Sequence, residues 1–155
     1  MSTRSTHSTV AEPARRRTSI EEGLPAGLPA LHRAHRLQDR AAGVGFDWPG
    51  VEGPLEKVAE ELDEVRVLLP PAGAEAVAAR QAALEDELGD LLFAVVNLCR
   101  KSGVHASLAL DRANAKFVRR WEGIERLAAG RGIDVAAAGL EQLDRLWEEV
   151  KRVES

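Results

Sequence analysis

The chain has 155 residues, 45% of them apolar and 30% charged, with a net charge of −4. That length supports one domain with a real core and is short for two, and the composition is globular rather than disordered. No apolar run approaches the ~20 residues of a membrane span, the amino end lacks an apolar secretory core, and the negative balance gives no electrostatic reason to bind duplex nucleic acid. The single cysteine, Cys99, cannot form an intrachain disulfide and reads as a small buried apolar residue. A soluble, cytoplasmic protein with no membrane partner is expected.

Residues 1–24 are rich in Ser, Thr, Arg and Pro and poor in large apolar side chains, so they read as a flexible tail before a domain spanning 25–155. Arg15-Arg16-Arg17 within it reads as a solvated basic run. A first helix begins near Leu28-Pro29, places Leu31, Ala34, Leu37 and Ala41 on one face, and ends at Gly43. It carries His32 and His35, three apart, with no third histidine or cysteine nearby in sequence, so they read as boundary histidines rather than metal ligands. The glycine-rich linker after it holds Phe46 and Trp48, which either cover a pocket or close the edge of the core.

A second helix runs from Pro54 to about Leu69, where Pro70-Pro71 stops it. At about 100° per residue, Leu55, Val58, Leu62, Val65 and Leu69 form an apolar stripe, and Lys57, Glu60, Glu61 and Glu64 form a charged one beside it. The third helix, from about Glu75 to Ser102, has an apolar arc wide enough to need more than one neighbour, a second subunit being one candidate. Glu87 and Asp90 flank that arc, and Asn97 lies two turns further on nearly the same side. A fourth helix, about Ser107 to Ala129, is expected to bury Ala113, Phe117, Trp121, Ile124 and Ala128 and to present Lys116, Arg119 and Arg120 beside them. The last, from Leu140, carries Leu143, Leu146, Trp147 and Val150, with Trp147 either core or a stacking surface for a base. No stretch alternates with a two-residue period for long, and no repeat is visible, so the fold class is all-α.

The two acidic pairs are the chemically informative feature. Glu61 with Glu64 and Glu87 with Asp90 are each three apart, about 60° around a helix, so each pair shares one face. Brought together, four carboxylates would select a hard, oxygen-preferring ion such as Mg²⁺ or Mn²⁺ and would let it grip phosphate oxygens. A water deprotonated by the ion or by Glu60 or Glu64 would then attack phosphorus, with Lys116 and Arg120 steadying the departing phosphates. No P-loop sequence is present, which leaves P-loop chemistry out. In a chain with 25 acidic residues, the other reading of these pairs is a pair of ordinary solvated faces.

Glu60-Glu61-x-x-Glu64 followed by Glu87-x-x-Asp90 resembles the paired-helix motif of the MazG family of nucleoside triphosphate pyrophosphohydrolases. Leu28-Pro29-Ala30-Leu31, Gln38-Asp39, Ala41-Ala42, Val44-Gly45-Phe46-Asp47-Trp48-Pro49, Ala113-Asn114-x-Lys116-Phe117-x-Arg119-Arg120 and Leu146-Trp147-Glu148-Glu149-Val150-Lys151 are similar to segments of the carboxyl-terminal copy in tandem members. The resemblance implies a bundle of four to five helices that dimerises through the long third helix, as a homodimer or higher homo-oligomer. It implies cleavage of a nucleoside triphosphate between the α and β phosphates, with Mg²⁺ as cofactor and Mn²⁺ as possible substitute, in house-cleaning of the nucleotide pool. Carried over by position, Glu61, Glu64, Glu87 and Asp90 would hold the metal, Glu60, Glu61 and Glu64 would serve catalysis, and Lys57, Glu60, Lys116, Arg120 and Trp147 would contact the nucleotide. Phe46 and Trp48 are further candidates for that contact. Many relatives carry two such domains, whereas one is read here. The alternative from another class is a catalytically silent helical module that binds nucleotide or dimerises.

Overall fold

A computed structural model describes residues 20–69 and 78–154, which form five helices and, among the described residues, no strand. The tail before residue 20 and the Pro70-Pro71 break lie outside the described residues. The first helix, α1, is Ala30–Gly43, begun at Pro29, whose fixed φ suits a helix entrance. Next come α2, Glu52–Leu68, with Pro54 in its first turn, and α3, Ala78–Lys101. After them stand α4, Ala106–Gly130, and α5, Gly139–Glu154. Two of the stops use a left-handed glycine: Gly103 (φ 70°) follows α3 while the Val104 N–H returns to the Cys99 carbonyl, and Gly132 (φ 65°) follows α4 while the Ile133 N–H returns to Ala128.

Residues 20–24, grouped with the tail by composition, are held against α1. Leu24 is buried, Arg33 donates to Glu21 at 2.5 Å, and Arg40 donates to the Ile20 and Glu22 carbonyls at 2.8 and 2.7 Å.

The helices form two antiparallel pairs joined at α3. Helix α2 packs on α3 and on no other described helix, α1 and α4 also lie on α3, and α5 packs on α4 alone. The main core belongs to the α4–α5 pair: Ile124, Ala128, Leu146 and Val150 are buried, with Trp121, Leu127, Ile133, Val135, Leu143 and Trp147 half-buried around them. Gly123 permits this close approach, because a Cβ there would stand 2.9 Å from both γ-carbons of Val150. No described helix is long and apolar enough to cross a membrane.

Two expected stripes are buried differently from the pattern. On α2, Val65 is buried, but Leu55 (56% exposed), Leu62 and Leu69 are open in the single chain, while Pro54 and Glu61 are covered. The reason is geometric: α2 has one neighbour among the described helices, and the face it turns to α3 runs through Glu61 and Val65, with Leu62 about 100° from the first and about 60° from the second. On α4, Ala113 and Phe117 are exposed and Ile124 and Ala128 buried, because the core formed with α5 lies along the C-terminal half of α4. Leu88, Leu92, Phe93 and Val95 of α3 likewise remain exposed, so the wide apolar arc is only partly covered within one chain.

Candidate metal centre

The i,i+3 spacing within α2 and α3 and the antiparallel contact between them bring the two acidic pairs together. Glu61, Glu87 and Asp90 each offer a carboxylate oxygen, and the three atoms lie within 4.8 Å of one another. Glu64, one turn along α2, hydrogen-bonds Glu87; this contact and the charge of Glu87 raise the Glu64 pKa. Three of the four residues selected from the sequence as metal ligands therefore meet within 4.8 Å, and the fourth, Glu64, adjoins the group through Glu87.

Glu61 is 4% exposed, an unusual setting for a carboxylate. One oxygen, Oε1, is 2.5 Å from Lys57 Nζ, while Oε2 is buried with no hydrogen-bond partner. Lys57 also donates to Glu60 at 2.9 Å, and these two bonds, Glu61 first, raise its pKa and hold it charged. Glu60 itself points toward solvent from the rim. A buried carboxylate with one orphaned oxygen, close to two further carboxylates, is a donor set that a hard divalent cation would satisfy, replacing repulsion with ligation. Histidine and cysteine, which would favour zinc, are missing from this cluster.

The cationic and aromatic candidates form a second group elsewhere. The Arg120 guanidinium lies 5.5 Å from the centre of the Trp147 ring, and its Nε donates to Glu154 at 2.7 Å. Phe117 stands 5.5 Å from Trp147 and 6.3 Å from Trp121. Lys116 is exposed on the same helix, in a shallow recess with Arg112 and Arg119. The sequence pattern suggested that these residues and the carboxylates act at one site; in the single chain they sit on helix pairs whose outer members, α2 and α5, do not touch.

The linker between α1 and α2 is clamped in a way the sequence did not reveal. Asp47 accepts hydrogen bonds from Arg100, and from Lys101 at 3.1 Å, while Lys101 also donates to the Trp48 carbonyl at 2.7 Å. The Arg100 contact foremost holds the Asp47 carboxyl down at about 2. Asn97 is taken up by the same clamp, its Oδ1 accepting from Arg100 Nη2 at 2.8 Å, which assigns it a supporting place. The Trp48 ring lies over Gly53, where a Cβ would come within 2.3 Å of it, so this aromatic covers the start of α2; Phe46 is 82% exposed. An aspartate between two aromatics, 53 residues before an Arg-Lys pair at a helix end, is too dispersed a signal to read in advance.

Five helices with a converged acidic centre on one pair and a cationic, aromatic edge on another define an all-α domain suited to a divalent cation and a phosphorylated ligand. Residues 52–124, which include Glu61, Glu64, Glu87 and Asp90, match the family model of the MazG nucleotide pyrophosphohydrolase domain. The chain is 45% identical over 136 residues to a nucleoside triphosphate pyrophosphohydrolase of Escherichia coli (strain K12), an alignment covering 88% of this chain and 50% of that relative. It is 42% identical over 124 residues to the nucleoside triphosphate pyrophosphohydrolase/pyrophosphatase MazG of Thermotoga maritima, covering 80% and 45% respectively. The chain thus spans about half the length of the curated relatives it matches. Residues 52–124 form a domain of the MazG type.

Proposed function

We propose that this domain hydrolyses nucleoside triphosphates between the α and β phosphates, releasing monophosphate and pyrophosphate, with Mg²⁺ as its ion and Mn²⁺ as a working substitute. Its biological task in this reading is removal of non-standard nucleotides from the pool. The observation that carries the proposal is the meeting of Glu61, Glu87 and Asp90 within 4.8 Å, with a buried Glu61 oxygen left without a partner, in a domain of this type.

Glu61, Glu64, Glu87 and Asp90 would hold the ion, which when bound supplies charge neutralisation for the triphosphate and acidifies water. Lys57 fixes one Glu61 oxygen and leaves the other buried without a partner. Glu64, with its raised proton affinity, and the rim residue Glu60 are the groups able to take a proton from the attacking water. Arg120 and Lys116 supply positive charge for the phosphates and Trp147 a flat surface for the base.

Because Arg120 and Trp147 gather on the α4–α5 pair and α5 touches neither α2 nor α3 in one chain, this reading has a second copy complete the site. The open apolar residues Leu55, Leu62, Leu88 and Leu92 on α2 and α3 are the surface such a copy would cover, in a homodimer or a higher homo-oligomer. Incubation with a panel of standard and altered nucleoside triphosphates and Mg²⁺ tests the activity. Monophosphate plus pyrophosphate, abolished by EDTA, is the expected product pair. Diphosphate plus phosphate would contradict the cleavage position, and no turnover with either ion would leave a nucleotide-binding module without catalysis.

A further inference from the structure

Two histidines one turn apart on α1, His32 and His35, meet a third that is distant in sequence, His105, where α1 crosses the start of α4. The His35 and His105 rings stack with centres 4.4 Å apart and planes 19° apart, and His32 meets His105 edge-on at 4.7 Å. Two of their nitrogens, Nδ1 of His35 and Nδ1 of His105, are buried with no hydrogen-bond partner. His35 Nε2 faces an Asp39 carboxylate oxygen at 3.6 Å, which leaves Nδ1 as its unpartnered nitrogen, although the nitrogens of the three rings do not converge within 4.8 Å as they stand. A carboxylate behind one ring nitrogen, with the other nitrogen open, is the arrangement that orients a metal-binding imidazole.

We propose that His32, His35 and His105 form a second metal site, of imidazole type, that takes a borderline divalent ion, Zn²⁺ foremost. Three imidazoles select such ions, whereas the carboxylates of α2 and α3 select Mg²⁺ or Mn²⁺, so the two sites differ in chemistry as well as place. Burial, ahead of the opposing pull of Asp39, lowers the His35 pKa, and Arg100 and the other two histidines act in the same direction; the ring is therefore kept in the neutral form that ligates. A cleft lined by His32, His105, Ser107 and Asp111 opens beside the cluster and gives an ion a way in, with Asp111 or water available as a fourth ligand. Binding would turn the rings from stacking to a convergent arrangement of nitrogens and would tie α1 to the first turn of α4.

The test is calorimetric titration of Zn²⁺ into the full chain in saturating Mg²⁺, together with long-range ¹⁵N–¹H spectra of the imidazoles. One Zn²⁺ per chain is expected, with ¹⁵N shifts at His32, His35 and His105 and none at His7. The variants H32N and H105N should each weaken binding at least tenfold, and the E61Q/D90N double variant should leave it unchanged. Unmoved imidazole resonances, or Zn²⁺ binding that persists in H32N and is lost in E61Q/D90N, would overturn the proposal. Because the spectra are recorded on the unaltered chain, they decide the matter even if H105N fails to fold.

Discussion

Replacing Glu61 by glutamine separates a ligand role from a structural one. The substitution preserves the shape of a side chain that is 4% exposed and retains helix propensity. At the 4.8 Å spacing of the cluster, two unit charges repel by about 3.5 kcal/mol at an effective dielectric of 20 and by about 1 kcal/mol in water. Glu61 takes part in two of the three such pairs, and a glutamine amide in its place can donate to Glu87 or Asp90. Against this stands the loss of its bond to Lys57, which remains solvated because its side chain is 40% exposed. The metal-free variant should therefore match the parent or exceed it by about 1 kcal/mol, and its melting temperature in EDTA should stay level or rise. The parent should gain several degrees from millimolar Mg²⁺ and the variant little or nothing, with turnover falling at least about 100-fold. A variant destabilised by about 3 kcal/mol in EDTA but still stabilised by Mg²⁺ would show that Glu61 holds the helices together and does not bind the ion.

Other expectations follow from the same geometry. Glu87 raises the proton affinity of Glu64, so the stability of the metal-free protein falls as pH rises from 4.5 through the raised pKa, and Mg²⁺ binding in that range releases a proton; calorimetry in buffers of different ionisation enthalpy measures it. Folding lowers the Asp47 pKa from 3.8 to about 2, so its clamp contributes fully above the higher value and is lost as pH falls to the lower one; an acid titration of tryptophan fluorescence should show a step that Asp47→Asn removes. Gly123→Ala drives a methyl into Val150 and should cost about 1–3 kcal/mol, a fall of about 3–10 °C in melting temperature, without altering Mg²⁺ affinity at the α2–α3 centre. Arg120→Ala should raise KM for nucleotide while leaving Mg²⁺ binding unchanged. Mixed with Glu61→Gln and allowed to exchange subunits, it should recover about a quarter of parental activity if the site spans a two-fold dimer, and none if each chain is self-sufficient.

Helix boundaries were largely legible because proline and glycine mark them: Pro29 and Gly43 frame α1, Pro54 stands in the first turn of α2, and Gly103 and Gly132 follow α3 and α4. The acidic centre was legible for a similar reason, since i,i+3 spacing is a local property and needed only one helix contact to become a cluster. The orientation of α2 was not. Hydropathy places the leucines inward, but the α3 contact runs through Glu61, and only tertiary structure shows a carboxylate buried ahead of Leu62. The partner of His32 and His35 was hidden by distance along the chain, as His105 lies 70 residues beyond His35 and reaches it only through the α1–α4 crossing. Separation of Arg120 and Trp147 from the carboxylates was equally invisible, because periodicity reports the face of a helix and not which helices meet.

The central claim is that the α2–α3 carboxylates hold the ion that acts on the triphosphate. Crystals grown with Mn²⁺ and a nucleotide bearing an uncleavable α,β bridge, measured for manganese anomalous scattering, test it most directly. The expected result is an anomalous peak ligated by Glu61, Glu64, Glu87 and Asp90 and in contact with phosphate oxygens. Nucleotide bound with manganese elsewhere, or with none between these four residues, would contradict it.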